Sequence, residues 1–93
     1  MLTLGLLFNY MIYIKYFARY RELLGLAQES YDLVSSPVSV QMIKEAVRVR
    51  HTTATSMLDD PRCIVAINQK IAGVDDVVND GDEVAFFPPV TGG

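Results

Sequence analysis

Two glycines close the sequence, and the last of them carries the group best suited to chemistry. Gly92 and Gly93 form the terminus, and two terminal glycines arise by chance on the order of 0.5% of the time at ordinary glycine frequency. Gly93 ends in an ionised carboxylate, which resists nucleophilic attack until it is given a better leaving group. The sequence contains no phosphate-binding loop of its own. We therefore expect a partner to activate Gly93.

The residues before the terminal pair are suited to presenting it. Residues without a Cβ can pass through a narrow channel, Thr91 completes the tail, and Pro88 and Pro89 stop the preceding strand. Residues 90–93 span at most about 13–14 Å when extended, and ordering them costs about 1–2 kcal/mol of backbone entropy per residue. A docking surface must offset that cost. Candidate partner-binding residues are Phe87, Phe17, Ile71 and Pro88, although both phenylalanines could instead be ordinary core residues.

Other reactive side chains are isolated in the sequence. Cys63 begins an apolar run, where cysteine usually behaves as a small hydrophobic residue. His51 follows a predicted helix, so we expect it to complement the helix dipole or to be exposed. Neither forms a triad or a zinc-ligand set, and we predict no metal site. Five acidic residues are interpreted as solvated turns because they do not match a calcium loop: Asp75, Asp76, Asp80, Asp82 and Glu83.

Length and composition indicate one small globular domain. The chain has 93 residues, of which 51% are hydrophobic and 20% charged, and a formal net charge of -3. Scattered basic residues argue against nucleic acid as a partner. The single cysteine excludes an internal disulfide and favours a cytoplasmic location.

Three segments are predicted along the chain. Residues 1–10 form an apolar N-terminal extension of unknown role, residues 11–89 the folded domain, and residues 90–93 a flexible reactive tail. The extension lacks the basic start and small-residue cleavage site of a secretory signal. The apolar run reaches Lys15 too soon for a transmembrane helix, so no membrane is expected as a partner.

The first half of the domain predicts two strands and one main helix. Residues 12–17 alternate as a strand, residues 18–25 form a short helical turn stopped by Gly25, and residues 29–34 form an antiparallel partner strand. Ser39 is a plausible N-cap for a helix that runs to about Arg50. Val40, Ile43 and Val47 share one face of that helix, beside Ala46.

The second half predicts the remaining strands. Residues 52–62 are interpreted as a loop that could hold a helical turn, and residues 63–67 as a strand buried on both faces. Residues 68–69 turn the chain into a short return strand at 70–72, and residues 74–78 are assigned to a loop. After the turn signal at 79–82, the final strand covers 84–87. One helix packed on one mixed sheet is an α+β two-layer domain.

Three blocks of the sequence resemble a known family. Residues 80–93, Asp-Gly-Asp-Glu-Val-Ala-Phe-Phe-Pro-Pro-Val-Thr-Gly-Gly, closely resemble the C-terminus of the small, sulfur-carrying subunit of molybdopterin synthase. Residues 14–25 and 64–69 are similar to the first strand with its following turn and to the third strand of that family. The resemblance covers residues 11–93, and residues 1–10 have no counterpart in it.

The resemblance implies the ubiquitin-like β-grasp fold and a specific chemistry. In that family an ATP-using enzyme of the ubiquitin-activating type adenylates the terminal glycine, which corresponds to Gly93 here. A persulfide-bearing sulfurtransferase system then converts the adenylate to a thiocarboxylate. The large subunit holds the tail while the sulfur passes to a cyclic pyranopterin monophosphate to build the dithiolene of molybdopterin. The working enzyme is a heterotetramer of two small and two large subunits, and the carrier itself binds no cofactor.

Several other functions remain open at this point. A carrier for thiamine synthesis or tRNA thiolation would share the same tail, and so would a ubiquitin-like modifier joined to lysines through Gly93. A β-grasp binding module would not need the tail. An enzyme acting alone is disfavoured because the sequence shows no paired nucleophile and base.

Overall fold

The first and last strands of the domain pair in parallel at the centre of the sheet. The computed structural model describes residues 10–89. Ile14 lies opposite Val84 and Tyr16 opposite Phe86. In chain order the elements are β1 (Tyr10–Tyr16), α1 (Arg19–Leu24), β2 (Gln28–Leu33), β3 (Val38–Ser39), α2 (Val40–Arg50), a 3-10 turn (Thr52–Ala54), α3 (Thr55–Asp59), β4 (Ile64–Ile67), β5 (Lys70–Ala72), β6 (Val77–Val78) and β7 (Glu83–Phe87). The five-stranded sheet has the order β2-β1-β7-β4-β5.

The predicted main helix and its cap are confirmed. The Ser39 hydroxyl accepts a hydrogen bond from the Met42 backbone N–H at 3.1 Å, which satisfies one of the free donors at the helix start. Val40, Ile43 and Val47 are fully or almost fully buried on one face of α2. Burying each such side chain stabilises the fold by roughly 1.5–3 kcal/mol.

The core lies between α2 and one face of the sheet. Side chains of a strand alternate between faces, so every second residue of β1 and β7 packs toward the helix. These sheet residues are each no more than 1% exposed: Ile12, Ile14, Tyr16, Val84 and Phe86. The mixed α+β architecture, with antiparallel β1 and β2, therefore agrees with the prediction.

Two short strands were not predicted. Residues 74–78 were assigned to a loop, but Val77–Val78 form β6 and pair antiparallel with Val38–Ser39 as a separate two-stranded sheet. Val78 is fully buried in the core. Strands of two residues show no alternation in sequence, which is why the prediction failed.

The fourth strand is buried at its centre but not at its ends. It begins at Ile64 rather than at Cys63, and only Val65 and Ala66 are buried, while Ile64 and Ile67 are half-buried. Val65 and Ala66 point to opposite faces of the sheet, so the predicted burial on both faces holds at the centre of the strand and is lost at its ends. The expected helical turn within 52–62 is present as the 3-10 turn and α3.

The first described strand includes a residue that was assigned to the extension. Tyr10, assigned to the extension, lies in β1 and pairs with Leu33 of β2. Residues 1–9 lie outside the described residues, and so does the prediction made for them. Within residues 10–89, none of the helices is long and apolar enough to span a bilayer.

A carboxylate on β2 joins the end of α2 to the sheet. Glu29 accepts hydrogen bonds from the hydroxyls of Tyr16 at 2.6 Å and Tyr31 at 3.3 Å, and from the Arg50 guanidinium at 3.2 Å. The His51 Nε2 lies 2.7 Å from the same carboxylate. His51 is half-buried at the C-cap of α2, so the expectation of simple dipole complementarity or exposure was incomplete.

The surroundings of Glu29 favour its charged form. Burial alone would raise the pKa of Glu29, but the hydrogen bonds from Tyr16, His51 and Arg50 outweigh it and hold the pKa below its ordinary value. Burial also raises the pKa of Tyr31 to about 12. Its hydroxyl therefore stays protonated and able to donate at neutral pH.

Replacing Glu29 with glutamine is expected to remove stability in a pH-dependent way. Because the folded pKa is depressed, the contribution of Glu29 is complete above the unfolded pKa and disappears as the pH falls through the folded pKa. At pH 7, Glu29→Gln should lower the free energy of unfolding by about 1–3 kcal/mol, measured by urea unfolding. Below the folded pKa of Glu29, the native chain and Glu29→Gln should have the same free energy of unfolding. The exposed Glu22→Gln serves as the control; equal curves for the two variants would contradict the assignment.

A tight turn joins β4 to β5 with two residues in left-handed conformation. Asn68 has φ 49° and Gln69 has φ 71°, and Ile67 pairs with Lys70 across them, as in a type I′ hairpin. The predicted turn is confirmed. Such turns favour asparagine followed by glycine, so Gln69 holds a conformation that L side chains disfavour.

Replacing Gln69 with glycine should therefore stabilise the hairpin. We expect Gln69→Gly to raise the free energy of unfolding by about 0.5–1 kcal/mol, because relief of the left-handed strain exceeds the entropy gained by the unfolded chain. Lys70→Gly, in the extended β5, should instead lower it by about the same amount. Thermal and urea unfolding would check both; a loss of stability in Gln69→Gly would refute the argument.

Candidate functional site

The second face of the sheet carries the residues that were predicted to bind a partner. Because Tyr16 and Phe86 point into the core, their neighbours Phe17 and Phe87 lie toward the opposite side. We call this apolar surface the open-face patch. It consists of Phe17, Ile64, Ala66, Ile71, Ala85 and Phe87, which line a common hollow.

Phe17 and Phe87 stack against each other across the ends of β1 and β7. Their ring centroids lie 4.4 Å apart with an interplanar angle of 9°, which is the near-parallel geometry of a closely stacked aromatic pair. The Phe17 N–H donates to the Phe86 carbonyl at 3.1 Å, which holds the two strand ends together. Both rings are half-buried, so they are neither core residues nor free surface side chains.

Ile71 is the most exposed member of the open-face patch. Its side chain is 82% exposed on the edge strand β5, opposite Ala66 in the β4–β5 pair. In the strand register Ala66 and Ala85 continue the row that starts at Ile71, beside the row that holds Ile64 and Phe87, and they are 5% and 3% exposed. The patch is thus a shallow depression with Ile71 on its rim, a shape suited to an apolar projection from another protein.

The chain leaves the sheet beside this patch. Pro88 and Pro89 directly follow β7 and are half-buried, and they share a groove with Phe17, Ile64 and Phe87. The prolines therefore begin the C-terminal segment at the edge of the open-face patch. The reactive residue predicted from sequence, Gly93, and its neighbours Gly92 and Thr91 lie outside the described residues.

Cys63 lies away from the open-face patch, beside the core. It is half-buried, and this burial raises the pKa of its thiol above the ordinary value. A raised pKa keeps the sulfur protonated and poorly nucleophilic at neutral pH. This agrees with the interpretation of Cys63 as a small hydrophobic residue.

One polar pair on the open face was not anticipated. The Lys15 ammonium lies 3.1 Å from the Glu83 carboxylate, across β1 and β7. Glu83 was interpreted only as part of an acidic turn, whereas it begins β7. Strand alternation places Lys15 on the same face as Phe17, and this is the sequence signal that could have identified it.

Comparison with known proteins now identifies the family. The family model described as "ThiS family" matches residues 14–93, which includes every element from within β1 to the terminus. The chain belongs to the ThiS family. The match spans most of the sequence, so the membership applies to the whole β-grasp domain.

Individual relatives of this ThiS-family chain agree with that assignment. A molybdopterin synthase sulfur carrier subunit from Escherichia coli (strain K12) is 35% identical over 83 residues, which cover 89% of this chain and 100% of the relative. The crystal structure of Haloferax volcanii small archaeal modifier protein 1 is 26% identical, with a TM-score of 0.78 over 87% of this chain and 99% of that one.

A more distant structure shares the fold. One chain in a complex of subunits 1 and 2 of molybdopterin-converting factor from Helicobacter pylori 26695 is 19% identical, with a TM-score of 0.58. The alignment covers 89% of this ThiS-family chain and 99% of that chain. The ubiquitin-like β-grasp fold predicted from the sequence is confirmed by these comparisons and by the mixed sheet with its helix.

Proposed function

We propose that this chain is the sulfur carrier subunit of a molybdopterin synthase and that Gly93 is its reacting residue. The observation that carries the proposal is the 35% identity along the full length of a carrier subunit with that description, in a chain that itself ends in Gly92-Gly93. The alignment covers the whole length of the relative, so the similarity extends over the whole protein and not over one shared module.

The chemistry begins with activation of the terminal carboxylate. An ATP-using enzyme of the ubiquitin-activating type joins Gly93 to AMP, which converts the unreactive carboxylate into an acyl group with a good leaving group. A persulfide of the sulfurtransferase system then displaces AMP and forms an acyl disulfide. A second thiol cleaves its S–S bond, which releases the thiocarboxylate and leaves the two thiols joined as a disulfide. Each thiocarboxylate transfers one sulfur atom to cyclic pyranopterin monophosphate, and water hydrolyses the acyl group back to the Gly93 carboxylate. Two such transfers supply the two sulfur atoms of the dithiolene. The carrier needs no bound cofactor for these steps, and ATP is consumed by its partner.

The open-face patch serves as the docking surface for the large subunit in this proposal. Its exposed Ile71 and its half-buried pair Phe17 and Phe87 offer apolar area next to the prolines that begin the tail. Burial of that area supplies free energy at about 25 cal/mol per Å². This gain offsets the entropy lost when residues 90–93 become ordered in the partner's active site.

The descriptions of two similar proteins support this choice of partner. The Escherichia coli relative is described as a subunit, and the Helicobacter pylori protein of the same fold occurs in a complex of subunits 1 and 2. We propose the corresponding large subunit as the partner here, in a heterotetramer of two small and two large chains located in the cytoplasm.

A protein modifier is the second candidate function. The observation that favours it is the likeness to small archaeal modifier protein 1, with a TM-score of 0.78. A modifier would also need an activated Gly93, but the acyl group would go to a lysine amine. The two functions therefore differ in the nucleophile that attacks the activated terminus.

The carrier function predicts exchange of one oxygen atom for sulfur at Gly93. We expect intact-mass analysis to show this exchange after incubation with ATP, an activating enzyme and a sulfur source, and fragmentation to place it at Gly93. A chain lacking Gly93 should not be converted, because Gly92 would then lie one residue short of the activating site. Thr91→Ser, which keeps the terminal glycines, is the matched control and should be converted.

Two results would contradict the carrier proposal. One is an unchanged mass for the native chain under conditions that convert the Escherichia coli relative. The other is isopeptide-linked adducts through Gly93 without any thiocarboxylate, which would favour the modifier function instead.

The docking role of the open-face patch predicts that Ile71→Asp weakens binding to the large subunit but leaves the stability of the free chain nearly unchanged. Because Ile71 is 82% exposed, the free energy of unfolding should change by no more than about 0.5 kcal/mol. Placing a charge in an apolar contact should weaken binding to the large subunit at least about tenfold. Isothermal titration calorimetry and urea unfolding would measure the two quantities.

Val34→Asp is the matched control for that substitution. Val34 is 95% exposed just after β2, outside the open-face patch, so its replacement should leave both quantities unchanged. An Ile71→Asp chain that binds the large subunit like the native chain would refute the docking role.

A further inference from the structure

An ion pair lies on the open face of the sheet, between its two central strands. The Lys15 ammonium and the Glu83 carboxylate are 3.1 Å apart, and their side chains are 40% and 27% exposed. In the parallel register Lys15 is opposite Ala85, while Glu83 is opposite Tyr13. The pair is therefore diagonal across β1 and β7, and both side chains are already partly withdrawn from water.

The pair marks the boundary between two halves of the open face. On one side Lys15 and Glu83 border the hollow of the open-face patch, together with Ala85 and Phe87. On the other side the same two residues border a polar hollow with Tyr13 of β1 and with Gln28, Glu29 and Ser30 of β2. A partner that covers the patch must therefore end over this pair or pass across it.

Docking changes the energetics of the pair. In the free chain water solvates both charges, and an exposed ion pair contributes little. A partner that covers the patch removes water from the pair, and each dehydrated charge is then compensated chiefly by the other. Removing one member leaves the other charge uncompensated at the interface, whereas removing both leaves a neutral surface.

We propose that Lys15 and Glu83 act as a coupled specificity pair for the docking partner. As a neutral unit they accept a partner whose surface over them is uncharged and can form hydrogen bonds, and they disfavour one that brings an unpaired charge. The proposal rests on the proposed function, since it takes the large subunit as the occupant. It assigns partner selection to residues outside the apolar contact.

A purely structural pair would behave differently. If the ion pair only linked β1 to β7, its loss would lower the stability of the free chain and leave the affinity for the partner unchanged. Stability and affinity measured on the same variants therefore separate a role in recognition from a role in folding.

The test is a double-mutant cycle with Lys15→Met, Glu83→Gln and the double variant, titrated with the large subunit by calorimetry. We expect each single substitution to raise the Kd roughly tenfold or more, because one charge is left unpaired. The double variant should bind within about threefold of the native chain, so the effects are strongly non-additive. Urea unfolding of the free variants should show only small changes.

A second ion pair provides the matched control. Arg48 and Asp59 lie 2.8 Å apart on the helical side of the domain, so Arg48→Met and Asp59→Asn should not change the Kd. Single Lys15 and Glu83 variants that bind like the native chain, or effects that add in the double variant, would overturn the proposal.

The failure of the proposal and the failure of the proposed function give different results. If the native chain binds the large subunit and Ile71→Asp weakens that binding, additive effects at Lys15 and Glu83 overturn only the coupled pair. If the native chain does not bind the large subunit at all, the proposed function fails and the coupled pair fails with it.

Discussion

Parallel pairing of β1 with β7 is the constraint on which the rest of the molecule depends. It brings the first and last strands of the domain together at the centre of the sheet and sets which residues share a face. With Tyr16 opposite Phe86 on the core side, Phe17 and Phe87 must meet on the other side, where they stack at 4.4 Å. A shift of one residue in this register would exchange the two faces.

The same pairing connects stability to the position of the tail. Residues that fill the core, such as Val84 and Phe86, alternate with Ala85 and Phe87 of the open-face patch. The strand that is most deeply held by the core is therefore also the strand from which Pro88 starts toward the terminus. The packing of the core thus fixes the position of Pro88, where the chain leaves the sheet beside the open-face patch.

Much of this arrangement could be predicted from the sequence, and the failures have a common physical cause. Alternation and helical periodicity identified β1, β7 and the buried stripe of α2, and the β-grasp fold followed from the family resemblance. By contrast, β3 and β6 have two residues each and no periodicity, and the cluster around Glu29 joins β2 to the distant His51. Contacts of that kind depend on strand register and helix placement, which local patterns do not contain.

The two charged clusters show how the faces of one sheet use ionisable groups differently. Glu29 lies on the core side, where hydroxyl and guanidinium donors surround its carboxylate and hold the end of α2 against the sheet. Lys15 and Glu83 lie on the open side with part of their surface in water, so their energetic importance is small until another surface covers them. A charge that is buried when the chain folds affects the stability of the chain. A charge that is buried only when a partner binds affects which partner is accepted.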